Sequence, residues 1–390
     1  SRGLGDVYKR QIGRGCFCRY LKQITALAIS AAIMCTAVNT VFAENNNRGD
    51  TVNIKIDGSK ANTSENFLYR GQGMISCNGS SRLLLDYKEK NPESYNKILE
   101  HLYGKNGLKF THFKVEMGAD VNTSSGTEPA TMRYEDEKAD VTRGAGFQLA
   151  ADIKKINPDV TLDMLWWSEP KWVSDSSDVY AARYKWYKQT LDAAYETYGL
   201  VFDYVSANQN ERAVDTDWII YLSKTLKSEK DCPYDYSEIK IVAADECGTW
   251  GISRLMMKNK ELCDAVDVIG SHYTSFADDT TKKLAEEYGK ELWFSEGSSP
   301  MNYAQSAYRF DEGNSGLTGL NGVLDIANRM ITMVSGGYMT LYEYQPAVAG
   351  YYDGVTYCHK QLINACTPWN GYYTVSYTHL RAHETLRHLV

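Results

Sequence analysis

Between about residue 65 and residue 345, two patterns of hydrophobic and polar positions alternate along the chain. Short runs rich in β-branched and aromatic residues are followed by longer stretches with apolar residues at helical spacing, and no repeat of fixed period is found. This alternation predicts a parallel α/β fold. The predicted strands are residues 67–75, 110–115, 161–166, 204–207, 239–243, 266–271, 291–295 and 338–342. The predicted helices are residues 93–103, 147–156, 180–198, 218–227, 252–258, 282–288 and 320–333.

Eight strand-and-helix units in one continuous stretch predict a (β/α)8 TIM barrel. The alternative is a doubly wound sheet, which would carry a glycine-rich phosphate loop after its first strand. Gly71-Gln72-Gly73 at that strand lacks the rest of the dinucleotide fingerprint. We therefore expect a barrel, with its active site at the carboxyl ends of the strands.

The two ends of the chain do not read as parts of the mature protein. Residues 1–11 and 375–390 have the look of translated adapter sequence, with a basic tail as the alternative for these segments. Residues 12–43 predict a signal peptide: Arg19 and Lys22 precede the apolar run 24–37, and small residues end the segment at Ala43. A lipoprotein anchor at Cys35 is a weaker alternative. The sequence thus predicts a secreted or periplasmic protein.

The domain boundaries follow from this division. Residues 44–64 contain an alternating stretch, 51–56, that predicts one strand of an accessory β-sandwich unit. Residues 65–357 form the predicted catalytic barrel, and residues 358–374 begin a C-terminal region. Because the readable chain ends soon after the eighth strand, we expect the remainder of the accessory unit to be missing and the chain to be truncated.

Composition and charge narrow the function classes. The net charge of −7, with acids and bases interleaved, offers no basic patch for nucleic acid or an anionic membrane. After the leader, no apolar run approaches the ~20 residues of a membrane span. The cysteines after the leader show no CxxC or Cys/His ligand spacing, so we expect no zinc site. We also expect no other metal and no cofactor. The oligomeric state is left open. Aromatic residues are plentiful, with 29 Tyr and 8 Trp, as sugar-binding clefts require, although most such rings belong to the core.

Two glutamates follow predicted strands on opposite sides of the barrel mouth. Glu211 comes after the fourth strand, directly behind Asn210, and Glu296 ends the seventh. A retaining glycosidase needs two carboxyl groups about 5 to 5.5 Å apart, one to protonate the leaving oxygen and one to attack the anomeric carbon. An Asn-Glu pair alone usually begins a helix or lies in a loop. Its combination with a Ser-Glu pair after the seventh strand predicts Glu211 as the acid/base and Glu296 as the nucleophile, with Asn210 bound to the sugar 2-hydroxyl.

With these motifs the chain resembles glycoside hydrolase family 59, the galactocerebrosidase family of clan A, over about residues 65–374. The further matching stretches are Ser81-Arg82-Leu83-Leu84, Lys114-Val115-Glu116-Met117-Gly118, Gly126-Thr127-Glu128-Pro129, Val266-Asp267-Val268-Ile269-Gly270-Ser271-His272-Tyr273 and Pro368-Trp369-Asn370-Gly371. The resemblance implies a retaining exo-β-galactosidase acting on a terminal β-galactoside of a glycolipid, of galactosylceramide type, or of an oligosaccharide. It also implies that Thr127, Trp167, Ser299 and Tyr357 line a galactose pocket.

Other residues near the predicted mouth have different interpretations. Glu128 and Glu169 each precede a proline, which indicates a turn, and His272 is expected to be a hydrogen-bond partner and not a base. Gln345 stands where mammalian relatives are expected to carry a sugar-stacking Trp, and it weakens the galactose assignment. Two alternatives therefore stay open: another clan A β-glycosidase, such as a β-glucosidase, xylanase or galactanase, and a carbohydrate-binding protein that has lost catalysis.

Overall fold

The computed structural model describes residue 59 and residues 62–76, 80–123, 126–274, 276–297, 330–345, 347–349, 362–367 and 370–373. All of these except Ser59 belong to one unit, which begins at Asn62. Eight parallel strands form its main sheet. In chain order they are β1 (Gly71–Ser76), β2 (His112–Glu116), β3 (Thr161–Leu165), β4 (Tyr204–Ser206), β5 (Lys240–Cys247), β6 (Val268–His272), β7 (Glu291–Gly297) and β8 (Met339–Tyr344).

The strands follow one another around a barrel. Neighbours are paired in parallel in the order β3, β2, β1, β8, β7, β6, β5, β4. Between β3 and β4 the ring is closed by sparser bonds: the Asp203 amide donates to the Leu162 carbonyl at 3.0 Å, and the Asn210 amide donates to the Trp166 carbonyl at 3.0 Å. An isolated parallel bridge also joins Trp166 to Gln209. The predicted (β/α)8 TIM barrel is confirmed.

The helices lie between the strands. They are α1 (Ser80–Lys90), α2 (Pro92–Tyr103), α3 (Ala145–Ile156), α4 (Lys171–Ser174), α5 (Val179–Tyr198), α6 (Thr216–Ser228), α7 (Gly251–Met256), α8 (Lys260–Ala265) and α9 (Asp279–Tyr288). Short polar side chains cap several of them: Asp178 and Asp215 accept the amides of Ala181 and Trp218. Gly199 ends α5 in the left-handed region, at φ 69°.

The shorter elements complete the described chain. Single 3₁₀ turns cover Glu65–Phe67 and Tyr236–Glu238. Two-residue strands Asn122–Thr123 and Gly126–Thr127 pair in a hairpin, and Val348–Ala349, Ile363–Thr367 and Asn370–Tyr373 form a separate three-stranded sheet.

The interior of the barrel contains two layers of different chemistry. Near the amino ends of the strands, five side chains form an apolar cluster, namely Tyr204, Val242, Val268, Trp293 and Leu341. One pleat nearer the carboxyl ends, Lys114, Asp163 and Glu343 are fully buried. Side chains on one face of a strand recur every two residues, and Glu343 follows Leu341 by two residues in β8, so the two layers are successive levels of the inner face of the barrel. The barrel therefore carries a charged layer directly below its mouth.

The predicted elements differ from the observed ones at a few places. The first strand begins at Gly71 and not at residue 67, since Glu65–Phe67 forms a 3₁₀ turn and Gly71 has a φ of 108°. A Cβ at Gly71 would lie 2.5 Å from Thr111 Oγ1. Helices α1, α4 and α8 were not predicted; α4 and α8 have only 4 and 6 residues, too short for a clear helical period. The predicted strand 51–56, the leader and most of the predicted helix 320–333 lie outside the described residues.

Candidate active site

The two predicted catalytic glutamates meet at the barrel mouth. Glu211 follows β4 and Glu296 lies in β7, and their carboxylates, with a nitrogen of His272, place atoms within 4.8 Å of one another. Glu296 is 2% exposed, whereas the Glu211 side chain is 33% exposed. One carboxylate is therefore fixed in the protein, and the other reaches solvent.

The backbone around Glu211 is held in an unusual conformation. Glu211 has a φ of 56°, in the left-handed region that few non-glycine residues adopt. Its amide donates to the Asp245 carbonyl at 3.1 Å, and the preceding Asn210 amide donates to Trp166. Trp218 Nε1 donates to the Ala207 carbonyl at 2.7 Å, which ties the end of β4 to α6. Bonds on both sides thus determine where the Glu211 carboxylate lies.

The Glu296 carboxylate is oriented by a tyrosine. Tyr273 Oη donates to Glu296 Oε1 at 2.5 Å and lies 3.4 Å from Gln345 Oε1. The Gln345 amide donates to the Gly297 carbonyl at 2.7 Å, and its side chain is 6% exposed. Gln345 is therefore part of the site, next to the tyrosine that contacts Glu296. The sequence had indicated Gln345 but not Tyr273.

His272 lies between the two glutamates, as a hydrogen-bond partner. Its Nδ1 is 3.0 Å from Glu211 Oε1 and 3.5 Å from Glu296 Oε2, and its Nε2 is 3.3 Å from Asp245 Oδ1. Burial alone would lower the pKa of this imidazole, but Glu296, Asp245 and Glu211 together raise the pKa to about 10. With that pKa, His272 is protonated at neutral pH and contacts three carboxyl groups.

A buried lysine supplies the positive charge below the mouth. Lys114 Nζ lies 2.9 Å from Glu343 Oε2 and 3.5 Å from both Asp163 Oδ2 and Asp245 Oδ1. Burial raises the pKa of Asp163 to about 6 against the opposing charge of Lys114. For Asp245, the effect of burial is outweighed by Lys114, His272 and Ser295, and its pKa falls far below the usual range. Sequence reasoning missed this charged layer, although Lys114 and His112 show the two-residue spacing of an inward face.

Two clusters of described residues have the donors for a metal ion. Besides the glutamates with His272, they are His112, Asp163 and Glu343. In the second cluster the Lys114 ammonium lies against both carboxylates, and His112 Nε2 lies 2.8 Å from Glu343 Oε1. Lys114 thus provides the cationic partner that these buried carboxylates require.

The predicted sugar-binding residues are only partly described. Asn210 is 5% exposed, and its Oδ1 has no hydrogen-bond partner among the described residues. Trp167 is 7% exposed and packs with Ile75 and Leu165 at the top of the barrel. Thr127 is exposed in its hairpin, where its hydroxyl donates to Asn122 Oδ1 at 3.3 Å. Ser299 and Tyr357 lie outside the described residues.

The two glutamates that precede prolines have structural contacts. Glu128 Oε1 accepts the Ala145 amide at 3.1 Å, so this carboxyl group caps the amino end of α3. Burial raises the pKa of Glu128 to about 7. Glu169 Oε2 accepts from Arg183 Nε at 2.6 Å, and the guanidinium lies between the rings of Trp166 and Trp218.

Fold and site together define a class. A TIM barrel with paired glutamates at the carboxyl ends of its strands is a glycoside hydrolase architecture. The sequence profile of Glycosyl hydrolase family 59 matches residues 69–385. The chain belongs to glycoside hydrolase family 59.

Curated relatives agree with this assignment. The chain is 34% identical over 315 residues to galactocerebrosidase from Macaca mulatta and 33% identical to that from Homo sapiens, in each case over 79% of this chain and 41% of the relative. It therefore spans about two fifths of the length of these relatives.

Solved structures share the fold. SrfJ from Salmonella typhimurium has a TM-score of 0.64 at 16% identity, covering 80% of this chain and 74% of that one. The catalytic domain of GH30 xylanase C from Talaromyces cellulolyticus has a TM-score of 0.57 at 13% identity, covering 80% and 75%. At these identities the likeness concerns the fold alone.

Proposed function

We propose that this chain carries the catalytic barrel of a retaining β-galactosidase that removes a terminal β-galactose from a glycolipid of galactosylceramide type or from an oligosaccharide. The observation that carries the proposal is the pair of carboxylates within 4.8 Å of one another. Retaining glycosidases hold their carboxyl groups about 5 to 5.5 Å apart, whereas inverting enzymes leave about 6.5 to 9.5 Å for a water molecule. The galactoside assignment rests on the family and on the galactocerebrosidase relatives.

In the first half-reaction, Glu296 attacks the anomeric carbon while Glu211 gives its proton to the leaving oxygen. The buried position of Glu296 and the bond from Tyr273 hold one oxygen, which leaves the other for attack. In the second half-reaction, Glu211 takes a proton from water, which displaces Glu296 from the sugar. The exposure of Glu211 suits this exchange with solvent.

Asn210 is the proposed partner of the sugar 2-hydroxyl. Its buried amide oxygen has no partner among the described residues, so a hydroxyl donor from the substrate would satisfy a group that is otherwise costly to bury. Trp167, after the neighbouring strand β3, is the proposed aromatic residue of the pocket, and Thr127, Ser299 and Tyr357 stay proposed pocket residues. We further propose that the protein is exported, on the evidence of the leader sequence. No helix in the part of the chain that the structure describes is long and apolar enough to cross a membrane.

The substrate is tested with nitrophenyl β-glycosides. We expect the β-galactoside to be hydrolysed with a higher kcat/KM than the β-glucoside or β-xyloside. Equal or better turnover of the glucoside would contradict the galactoside assignment and favour another clan A β-glycosidase. Gln345, which lies beside Tyr273, is the residue that favours this alternative. Proton NMR of the first-formed sugar should show the β-anomer, since double displacement retains configuration.

The two roles are separated by single substitutions. Glu296→Gly should abolish turnover, and azide should restore it with an α-glycosyl azide as product. Glu211→Ala should spare dinitrophenyl glycosides, whose leaving group needs no proton, and azide should then give a β-glycosyl azide. The opposite stereochemistry in the two variants would reverse the assignment.

A further inference from the structure

Asp245 in β5 forms hydrogen bonds to the chain segments that contain Glu211 and Glu296. Its carbonyl accepts the Glu211 amide at 3.1 Å, and its Oδ1 accepts from the hydroxyl of Ser295, the residue before Glu296, at 2.6 Å. Asp245 is 1% exposed and has a φ of 53°, so it shares the left-handed conformation of Glu211. Such conformations are unfavourable for residues other than glycine and persist where the surroundings fix them. Asp245 therefore helps to fix the two chain segments that carry the catalytic carboxylates.

The Asp245 side chain also holds one edge of the His272 ring. His272 Nε2 is 3.3 Å from Asp245 Oδ1, and the opposite nitrogen is 3.0 Å from Glu211 and 3.5 Å from Glu296. A neutral imidazole has one N–H, whereas an imidazolium has two. Only the charged form therefore offers an N–H at both nitrogens, each of which faces a carboxyl group.

The charges that face His272 come from four strands. Glu211 extends from the end of β4, Asp245 from β5 and Glu296 from β7, while Lys114 of β2 lies behind Asp245, 3.5 Å from its Oδ1. Positive and negative groups thus alternate from Lys114 through Asp245 and His272 to the glutamates. With Lys114 behind it, Asp245 stays ionised despite its burial and keeps His272 protonated.

We propose that Asp245 is a positioning residue that holds His272 as a cation between Glu211 and Glu296, so that one fixed positive charge serves both halves of the reaction. This proposal rests on the double-displacement function above. Double displacement begins with Glu296 as the anion and with Glu211 carrying the proton that it donates. After Glu296 bonds to the anomeric carbon it is an ester, and Glu211, which has given its proton to the departing oxygen, is the anion. His272 keeps both protons throughout and faces one catalytic anion in each state.

The first test measures the charge of His272 without any substrate. Histidine in the full chain is labelled with ¹⁵N, and the His272 resonances are assigned by their loss in His272→Gln. We expect an imidazolium signature at pH 8, and in Asp245→Asn a midpoint lowered into the pH range in which the wild type is active. An imidazole that is neutral at pH 8 in the wild type, or a midpoint that stays above that range in Asp245→Asn, would overturn the proposal. This readout stands whether or not the galactoside assignment does.

The second test measures the reaction, with Ser295→Ala as the matched variant. Ser295→Ala removes the Ser295–Asp245 hydrogen bond and keeps the charge, whereas Asp245→Asn removes the charge and keeps an oxygen that can accept this bond. On whichever glycoside the wild type hydrolyses, Asp245→Asn should lower kcat on the order of 10- to 100-fold with little change in KM. The basic limb of its pH profile should move to higher pH, because Glu211 there faces a neutral imidazole instead of a cation. Ser295→Ala should keep the wild-type limbs. A uniform loss in Asp245→Asn at every pH would reduce Asp245 to a merely structural role and refute the proposal.

Discussion

Replacement of Lys114 by methionine tests the charged layer below the mouth most directly. Lys114 is fully buried, lies within 3.5 Å of Glu343, Asp163 and Asp245, and donates to the Ser295 carbonyl at 3.2 Å. Methionine preserves much of the side-chain length but leaves three buried carboxylates without their shared cation. Removal of one partner from a buried ion pair costs about 3 to 5 kcal/mol. We expect Lys114→Met to lose about that much stability and on the order of 10 °C in Tm.

The assay is urea unfolding followed by fluorescence, with Lys171→Met as the control. Lys171 pairs with Asp175 at 2.6 Å on the surface and is 85% exposed, so its loss should cost under about 1 kcal/mol. The deficit of Lys114→Met should shrink as pH falls from 8 to 5. Burial already raises the pKa of Asp163 to about 6 with Lys114 present, and removal of the cation raises that pKa further, so the carboxyl is neutral at pH 5. A cost no larger than that of Lys171→Met, or one independent of pH, would refute the reasoning.

Three further outcomes are expected. The pKa of His272 is about 10 in the folded state against 6.5 in the unfolded chain, so its protonation contributes stability that is complete below pH 6.5 and lost as pH rises toward 10. The difference in unfolding free energy between wild type and His272→Gln, measured at pH 6, 8 and 10, should therefore become smaller as pH rises. Cys247 is an exposed residue, but partial burial of its thiol, together with Glu211 and Glu296, raises the pKa of the thiol to about 11. Iodoacetamide should therefore label it roughly 100-fold more slowly than an ordinary thiol at pH 8. Labelling should inactivate the enzyme, whereas Cys247→Ser should resist, and full activity after complete labelling would contradict this. Glu169→Gln, by weakening the bond to Arg183 between two tryptophans, should lower thermal stability without moving the pH profile, and a shifted profile would show a catalytic role for Glu169.

The sequence by itself determined the barrel and the place of its two glutamates. The strands of a parallel sheet are buried on both faces, so they appear as short continuous apolar runs, and all eight were predicted. Because active sites of TIM barrels lie at the carboxyl ends of the strands, Glu211 and Glu296 could be selected from their positions alone. The prolines after Glu128 and Glu169 likewise indicated structural positions, and both glutamates have structural contacts.

Only the tertiary structure decided what surrounds the glutamates. Lys114, Asp245 and His272 belong to strands far apart in the sequence, and each inward-facing polar residue looks like an interruption of an apolar run when its strand is read alone. Barrel closure brings Lys114 to 3.5 Å from Asp245, and Asp245 to 3.3 Å from His272. The energies of buried charges depend on such distances and not on spacing along the chain. The pattern of residues therefore located the site, whereas the charge that His272 carries between its glutamates follows from the folding of four strands around one axis.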